Sequence, residues 1–475
     1  MLSALEVARH NSRESCWIII AGFAYDVTEF LGEHPGGAAI ILKYAGQDVT
    51  EVYESLHPPS ALADNLPSEK KLGPLSPVTN VKLPPFTQMI SLLDFEKRSS
   101  PKAWAYFSSG ATDMSTLALN RATWNSILLI PRVMVDVTKV DTSTILGGTP
   151  AALPLLIAPT GMAKLSHPQG EVGFAEGAGH EGIPFTVSTN ASAGLDDIIS
   201  GRTHDNQPFF FQLYMNRDRP KSSALIKKNG ARIFKAIILT VDAPWPGKRE
   251  ADERVKNEVV LDLGVAGGRG SAPDSKGAGV GRAMAGYIDA NLNWSDIAWI
   301  RAQLPTSSSP HESPEPDMLI GVKGVQSVQD VLKAISLGVN IIWLSNHGGR
   351  SLDTTPPALY VLLELRRDHP WVFALPHVEI YVDGGVRRGT DVVKALCLGA
   401  RGVALGRPFM YALQYGTEGV RAAVQILRDE IETTMRLIGA RTIAELGPQF
   451  LNTKALMPLL NDPVPSSSSP VRSKL

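Results

Sequence analysis

The chain is poor in cysteine: two in 475 residues, Cys16 and Cys397, each inside an apolar segment. That scarcity excludes a disulfide-stapled scaffold and a thiolate-ligated metal cluster, and it suits a reducing compartment. Neither charge is in excess: 46 Lys and Arg stand against 47 Asp and Glu, for a net charge of −1. Without a basic stripe the chain lacks the electrostatic footprint of a nucleic-acid binder. Long hydrophobic runs are missing too, and no apolar stretch approaches the roughly 18 residues of a membrane helix. The opening "MLSALEVARHNSRESCW" has neither the basic lead nor the apolar centre of a secretory signal. What is there is ordinary globular material, 44% hydrophobic and 20% charged, over a length that suits two or three domains.

Residues 1–75 share one compact pattern. "CWIIIAGFAYDVTEF" predicts two short strands about a Gly turn, and "GGAAIILKYAG" a short helix closed by Gly. Residues 76–87 sit in a Pro-rich stretch without periodicity and read as a linker. From 88 to 455 apolar strands alternate with helical stretches, the pattern of a parallel α/β fold. Eight such strands can be counted: "LPLLIAPTG", "IPFTVSTN", "PFFFQLY", "AIILTVDAP", "MLIGVKGV", "NIIWLSNHGG", "VEIYVDGG" and "ARGVALGRP". The expected architecture is therefore a (β/α)8 barrel preceded by a small α+β domain. Residues 456–475 form a Pro/Ser-rich tail ending in Ser473-Lys474-Leu475, a tripeptide read by the peroxisomal import receptor. The peroxisome is the predicted location, with the cytoplasm as the alternative.

Polar residues and glycines gather at the C-terminal ends of those strands: Thr160-Gly161, Ser188, Gln212 and Tyr214, Thr240 and Asp242, Lys323, His347, Asp383, Arg407. Barrel active sites form on that face, so His347 is read as facing a shared pocket. The turns "DGGVRRG" and "LGRP" after strands seven and eight expose backbone N–H groups and, with Arg387 and Arg407, predict a phosphate cradle. Lys323 suits a group that becomes anionic. Asp242 can hydrogen-bond the His347 imidazole and stabilise its protonated form, as a carboxylate does for a general base. Arg350 offers a planar fork for a carboxylate, and Tyr106 and Tyr214 add hydroxyl donors. Near the N-terminus, His34 in "FLGEHPGG" and His57 in "YESLHPP" have no Cys or third His to complete a tetrahedral zinc set. Two imidazoles flanking an apolar slot suit the axial positions of a haem iron instead.

At these residues the sequence resembles a known family. "SNHGGR", "DGGVRRGTDVVKALCLGA", "GRPF", "TVDAP" followed by "GKRE", "FQLY" and "AYFSSG" are similar to the FMN-dependent 2-hydroxy acid oxidases and dehydrogenases, over roughly residues 88–450. "VARHNSRESCWIIIAGFAYDVTEFLGEHPGG" resembles the cytochrome b5 domain, and the fusion resembles the flavocytochrome b2 arrangement. The resemblance implies that His347 is the base and Asp242 its partner. It places Arg350, Tyr214 and Tyr106 on the substrate, Lys323 by the flavin ring, and Arg249 as a second guanidinium near the site. It implies that FMN contacts Ala158, Pro159, Thr160, Gly161, Ser188, Gln212, Thr240, Ser345 and Asp383. The phosphate would lie on Gly384, Gly385, Val386, Arg387, Gly406 and Arg407, and haem b between His34 and His57. A homo-tetramer is implied as well.

Two residues depart from the lactate-preferring pattern: Gly161 stands where Ala is usual, and Asn190 where a larger apolar residue is usual. Gly161 reads as leaving more room than Ala and Asn190 as adding a polar amide, so the expectation is a substrate side chain bulkier than methyl and oxygenated. The segment after strand four, "LGVAGGRGSAPDSKGAGVGRAMAGY", has no periodicity and is expected to form a mobile partial lid. The expected activity is oxidation of an L-2-hydroxy acid, with electrons passing to FMN, then haem, then an external one-electron acceptor. The alternative is an oxidase in which oxygen is the acceptor and hydrogen peroxide the product.

Overall fold

The computed structural model describes residues 7, 10–58, 61–74, 99–230, 233–255, 261–263, 265, 268–270, 279–304 and 318–462. The linker at 76–87, part of the Gly/Ser/Ala-rich segment and the Ser473-Lys474-Leu475 terminus lie outside these residues. The chain divides into two compact units, Met1–Leu83 and Pro84–Leu475.

In the first unit, strands Trp17–Ile20 and Phe23–Asp26 pair antiparallel across Ala21 and Gly22. Those two residues take φ of +50° and +78°, as a two-residue hairpin turn with the right-handed strand twist requires. A third strand, Lys71–Pro74, pairs with Phe23–Asp26 and does not figure in the sequence reading. "KLGP" has neither alternation nor a β-branched residue to announce it. Cys16, Ile18, Ile20, Tyr25 and Leu31 are buried together on one face of this sheet, while Ile19 and Ala24 pack on the other. Short helices Ala38–Leu42 and Thr50–Leu56 follow.

The second unit is the expected barrel. Strands Leu155–Ile157, Phe185–Ser188, Phe209–Leu213, Phe234–Thr240, Leu319–Val325, Ile341–Leu344, Glu379–Val382 and Gly402–Leu405 are all parallel and close in chain order. Each coincides with one of the eight apolar runs. Their alternation sorts side chains between two cores. Phe210, Ile238, Trp343 and Tyr381 fill the inside, whereas Phe209, Phe211, Ile237 and Ile342 pack outward against the helices. The hairpin of Thr144–Leu146 and Thr149–Ala151 adds Leu146 and Ala151 to the interior cluster. Glu379 ties it down, accepting from Gly147 N at 3.0 Å and Tyr381 Oη at 2.7 Å. With one end so plugged, the C-terminal end is free for chemistry. Both cysteines are fully buried, and burial pushes their thiols up to about 11 for Cys16 and about 12 for Cys397, so neither is a nucleophile.

Candidate active site

A cavity of about 390 Å³ opens at the C-terminal ends of the barrel strands, within the usual size of small-molecule sites. At one end stand Tyr106, Asn190, Tyr214, Met284, His347 and Arg350; at the other, Arg121, Gly384 to Arg388, Gly406 and Arg407. Lys323 and Asp383 also line it.

His347 leaves its strand in the left-handed region, at φ +57°, with glycines at φ +63° and +75° after it. This uncommon conformation swings the ring back over the barrel mouth. Its Nδ1 lies 2.9 Å from Asp242 Oδ1, at the end of the fourth strand. Burial holds the His347 pKa below the ordinary imidazole value; Asp242 opposes this, and Lys323 and Arg249 reinforce it. Burial alone would raise Asp242, but the neighbouring His347 and Lys323 hold it below the usual carboxylate range. The resting pair is therefore an ionised Asp beside a neutral His, with Nε2 free to accept a proton. The carboxylate lies within hydrogen-bond reach of the imidazole, where it can offset a positive charge on the ring.

The loop bearing His347 is over-determined. Asn346 and Asn120 exchange side-chain amide hydrogen bonds of 2.9 Å in both directions while buried. Asp353 accepts from Thr112, Ser115 and Thr116 on the other side. Arg350 donates both NH1 hydrogens to the carbonyls of Tyr106 and Phe107, at 2.9 and 3.0 Å. Its Nε and NH2 edge remains for a carboxylate. Burial lowers Arg350 to about 9, which leaves it cationic at neutral pH. Arg249 donates to the Arg350 carbonyl at 3.2 Å, and both guanidiniums lie over the Tyr106 ring, at 5.8 and 4.9 Å. Burial also drives the Tyr214 hydroxyl well above its ordinary value, so it stays a proton donor.

The opposite end fits the phosphate of FMN. Gly384 and Gly385 have φ of +96° and +81°, and a side chain on Gly385 would collide with the Asn120 carbonyl. A Cβ on Gly406 would meet only ordinary van der Waals contacts, Thr160 Oγ1 at 3.7 Å and Ala158 Cβ at 3.9 Å. Three cations converge here: Arg387, Arg407 and Arg121, the last lowered by burial and by the charge of Arg387. Such uncompensated positive charge against glycine backbone suits a dianion. Arg407 is more constrained than the sequence suggests. Its Nε, NH1 and NH2 each donate at 3.0 Å to the carbonyls of Phe107, Gly348 and Ser109, leaving two of five N–H groups for a ligand.

Among the residues assigned by resemblance, Ala158, Pro159, Thr160, Gly161, Ser188, Lys323, Asp383, Gly384, Gly385, Val386, Arg387, Gly406 and Arg407 line the cavity, as do Tyr106, Tyr214, His347 and Arg350. Gln212, Thr240, Ser345, Asp242 and Arg249 do not; they stand behind it. Gln212 accepts from Ser188 Oγ at 3.2 Å and donates to Thr240 Oγ1 at 3.0 Å. Ser345 Oγ donates to Asp383 at 2.6 Å, and Lys323 Nζ is 3.2 Å from the same carboxylate. Arg121 is absent from the sequence reading. Its signal is helical spacing: it lies four residues after Leu117 and three before Trp124, both buried on the inner face of helix Ser115–Asn125.

Gly161 corrects the steric expectation. The space of its missing methyl does not open onto the cavity. A Cβ there would stand 2.6 Å from the Asn190 carbonyl oxygen and 2.9 Å from Asn190 Cβ. The glycine lets the loop after the second strand close on the first, where Met162 N donates to Asn190 O at 3.1 Å. Buried Glu171 clamps the same two loops, accepting from the backbone N–H groups of Ala163, Ser192 and Ala193. The expected partial lid is in part regular: Val280–Ala285 is helical, with Val280 and Met284 buried.

In the first unit the His34 and His57 rings face each other with centroids 6.1 Å apart. A metal between two imidazoles needs about 2 Å to each nitrogen plus the two ring half-widths, which matches. His57 ends helix Thr50–Leu56, its Nδ1 3.2 Å from the Tyr53 carbonyl and its ring stacked on Tyr53 at 4.5 Å. His34 Nδ1 is buried with no hydrogen-bond partner among the described residues. Leu31, Phe30, Ile41 and Leu62 are among the apolar residues of this unit's core. The pair and its apolar surroundings fit haem.

Residues 95–453 match the family described as FMN-dependent dehydrogenase, and residues 3–78 the cytochrome b5-like haem/steroid binding domain. An L-lactate dehydrogenase (cytochrome) from Wickerhamomyces anomalus is 40% identical over 473 residues, covering 95% of this chain and 79% of that protein. A glycolate oxidase from Spinacia oleracea is 39% identical over 364 residues, covering 74% and 91%. Among solved structures, a flavocytochrome b2 double mutant with pyruvate bound superposes with a TM-score of 0.68 at 39% identity, covering 80% of this chain and 91% of that one. The chain belongs to the FMN-dependent dehydrogenase family and carries a cytochrome b5-like domain ahead of its barrel.

Proposed function

We propose that this FMN-dependent dehydrogenase oxidises an L-2-hydroxy acid to the 2-oxo acid and delivers the electrons to the haem b of its own N-terminal unit. The observation that carries the reading is His347, backed by Asp242 at 2.9 Å and facing the same cavity as Arg350, Tyr214 and the glycine- and arginine-lined phosphate end. When bound, FMN supplies the two-electron acceptor and haem the one-electron acceptor.

The protein's own residues do the rest. The free edge of Arg350 holds the substrate carboxylate, with Tyr106 beside it, and Tyr214 donates to a substrate oxygen. Oxidation of a 2-hydroxy acid releases two electrons and two protons; His347 Nε2 takes one proton, and the two electrons would pass with the other to bound FMN. Asp242 keeps the imidazole in the tautomer that leaves Nε2 unprotonated, then offsets the positive charge that forms. Lys323, buried against Asp383, would supply a cation to offset the negative charge that a bound flavin gains. Gly384 to Arg387, Gly406, Arg407 and Arg121 hold the phosphate. His34 and His57 hold the haem.

The electrons leave to an external one-electron acceptor. A second reading, direct reaction with oxygen and release of hydrogen peroxide, draws support from the likeness to the glycolate oxidase and from the Ser473-Lys474-Leu475 signal, which would direct the protein to the peroxisome. Assembly as a homo-tetramer belongs to the proposal too. The test is anaerobic addition of (S)- and (R)-2-hydroxy acids to the purified protein. Bleaching of flavin by the (S)-acids alone, followed by reduced-haem bands, supports the reading. An unbleached flavin overturns it, while bleached flavin with oxidised haem, and peroxide release in air, favours the oxidase.

A further inference from the structure

Asn190 lies at the substrate end of the cavity and is 7% exposed, yet its amide is only half used. Its backbone is fixed on both sides, N donating to Ser188 Oγ at 3.1 Å and O accepting from Met162 N at 3.1 Å. Its side-chain Oδ1 accepts from the Tyr287 hydroxyl at 2.7 Å. Nothing among the described residues accepts from its Nδ2. Native structures rarely leave such a donor idle, and Asn190 lines the cavity, where a ligand can supply the acceptor.

Tyr287 sets the direction. Its carbonyl accepts from Arg217 N at 3.0 Å, and neighbouring Ile288 bridges to Asn216, so the ring is anchored to the loop that follows the third strand and carries Tyr214. Burial raises its hydroxyl well above the ordinary value, so at physiological pH it remains a donor and must meet the oxygen of the Asn190 amide. With Oδ1 turned to Tyr287, the NH2 group meets no acceptor among the described residues and is left for one that enters the cavity beside His347 and Arg350. Gly161 permits this, since a methyl group there would push the Asn190 loop away.

We propose that Asn190, oriented by Tyr287, is a specificity residue that selects 2-hydroxy acids carrying an acceptor oxygen on the carbon chain beyond C2, such as a hydroxyl or carbonyl. This rests on the reading of the barrel as a 2-hydroxy acid oxidoreductase and narrows its substrate class. A polar donor built for an oxygen discriminates against the isostere lacking it, because the donor is then left unpaired. Tyr287 is a positioning residue: it acts only through the amide.

The test uses matched acids on the full-length protein, followed by anaerobic flavin bleaching: L-lactate against L-glycerate, and (S)-2-hydroxybutanoate against (S)-2,4-dihydroxybutanoate. The expected result is a kcat/KM about tenfold higher for the oxygenated member of at least one pair. N190L reverses that preference, and Y287F shrinks it several-fold. General damage to the fold lowers both members of a pair alike and leaves their ratio unchanged, so the ratio isolates the side-chain contact. If neither pair shows a preference in the native protein, or the preference survives N190L, the inference is overturned while flavin bleaching upholds the activity. If none of the four acids bleaches the flavin, the activity reading fails, and the inference with it.

Discussion

His347 leaves a barrel strand at φ +57°, and its Nδ1 is held 2.9 Å from a carboxylate 105 residues away in sequence. His57 ends a seven-residue helix, and its Nδ1 lies 3.2 Å from a carbonyl of that same helix. The difference follows from the role proposed for each ring. A base must change charge, so it needs a carboxylate behind it and neighbours that fix its resting state. A ligand to iron must stay neutral and be aimed, so a neutral carbonyl acceptor and a stacked Tyr53 suffice. The same side chain is placed by long-range tertiary structure in one case and by local structure in the other.

His347→Gln should cut kcat by about 10³-fold with the bound-flavin spectrum unchanged, since it removes the base and leaves the cradle. The corresponding break in the other region, His57→Ala, should abolish the haem bands while substrate still bleaches the flavin. Asp242→Asn should lower kcat by about 10²-fold, by leaving the imidazole in the wrong tautomer. Its sign in pH is distinctive. The His347 pKa is already lowered, so the acid limb of kcat/KM lies below the ordinary imidazole value, and losing the carboxylate that raises it moves the limb lower still. A limb moving to higher pH would mean that Asp242 does not act through His347.

Smaller effects sharpen the view of the barrel site as the more over-determined one. Gly385→Ala adds a methyl at φ +81° against the Asn120 carbonyl, next to the amide pair that holds Asn346. About 2 kcal/mol of stability should go, together with tight retention of FMN, readable by melting and by flavin released on dialysis. The smallest effect is expected at Asp353. Burial would raise this carboxyl, but the donors Thr116, Thr112 and Ser115 override it and hold it at about 2. The stability it contributes is present above about pH 4 and is lost as pH falls towards 2. Asp353→Asn should therefore lower the melting temperature by a few degrees at neutral pH and flatten its fall in acid.

The eight barrel strands were legible because each is a short apolar run ended by polar or glycine residues, and in a barrel both signals carry structural meaning. His347, Asp242 and Arg350 are legible as types at strand ends; His347 and Arg350 line the cavity, and Asp242 stands behind His347. Three things were not. Arg121 sits on a helix whose mixed sequence hides which face is inner. Tyr287 follows a Gly/Ala-rich stretch without pattern, and only its bond to Asn190 reveals a purpose. Gly161 was read as space because a missing side chain carries no information about what moves into the gap; packing decided that. In the first unit, Lys71–Pro74 was invisible for the opposite reason: its pairing with Phe23–Asp26, and a Lys71 ammonium 3.8 Å from the Phe23 ring, define the strand more than its own residues do.

The most direct test of the account is an anaerobic stopped-flow record of flavin and haem absorbance in the native protein and in His57→Ala, mixed with the same (S)-2-hydroxy acid. The account predicts flavin bleaching in both, with haem reduction trailing it in the native protein alone. Haem reduction that precedes flavin bleaching, or a flavin that His57→Ala leaves unbleached, would contradict it.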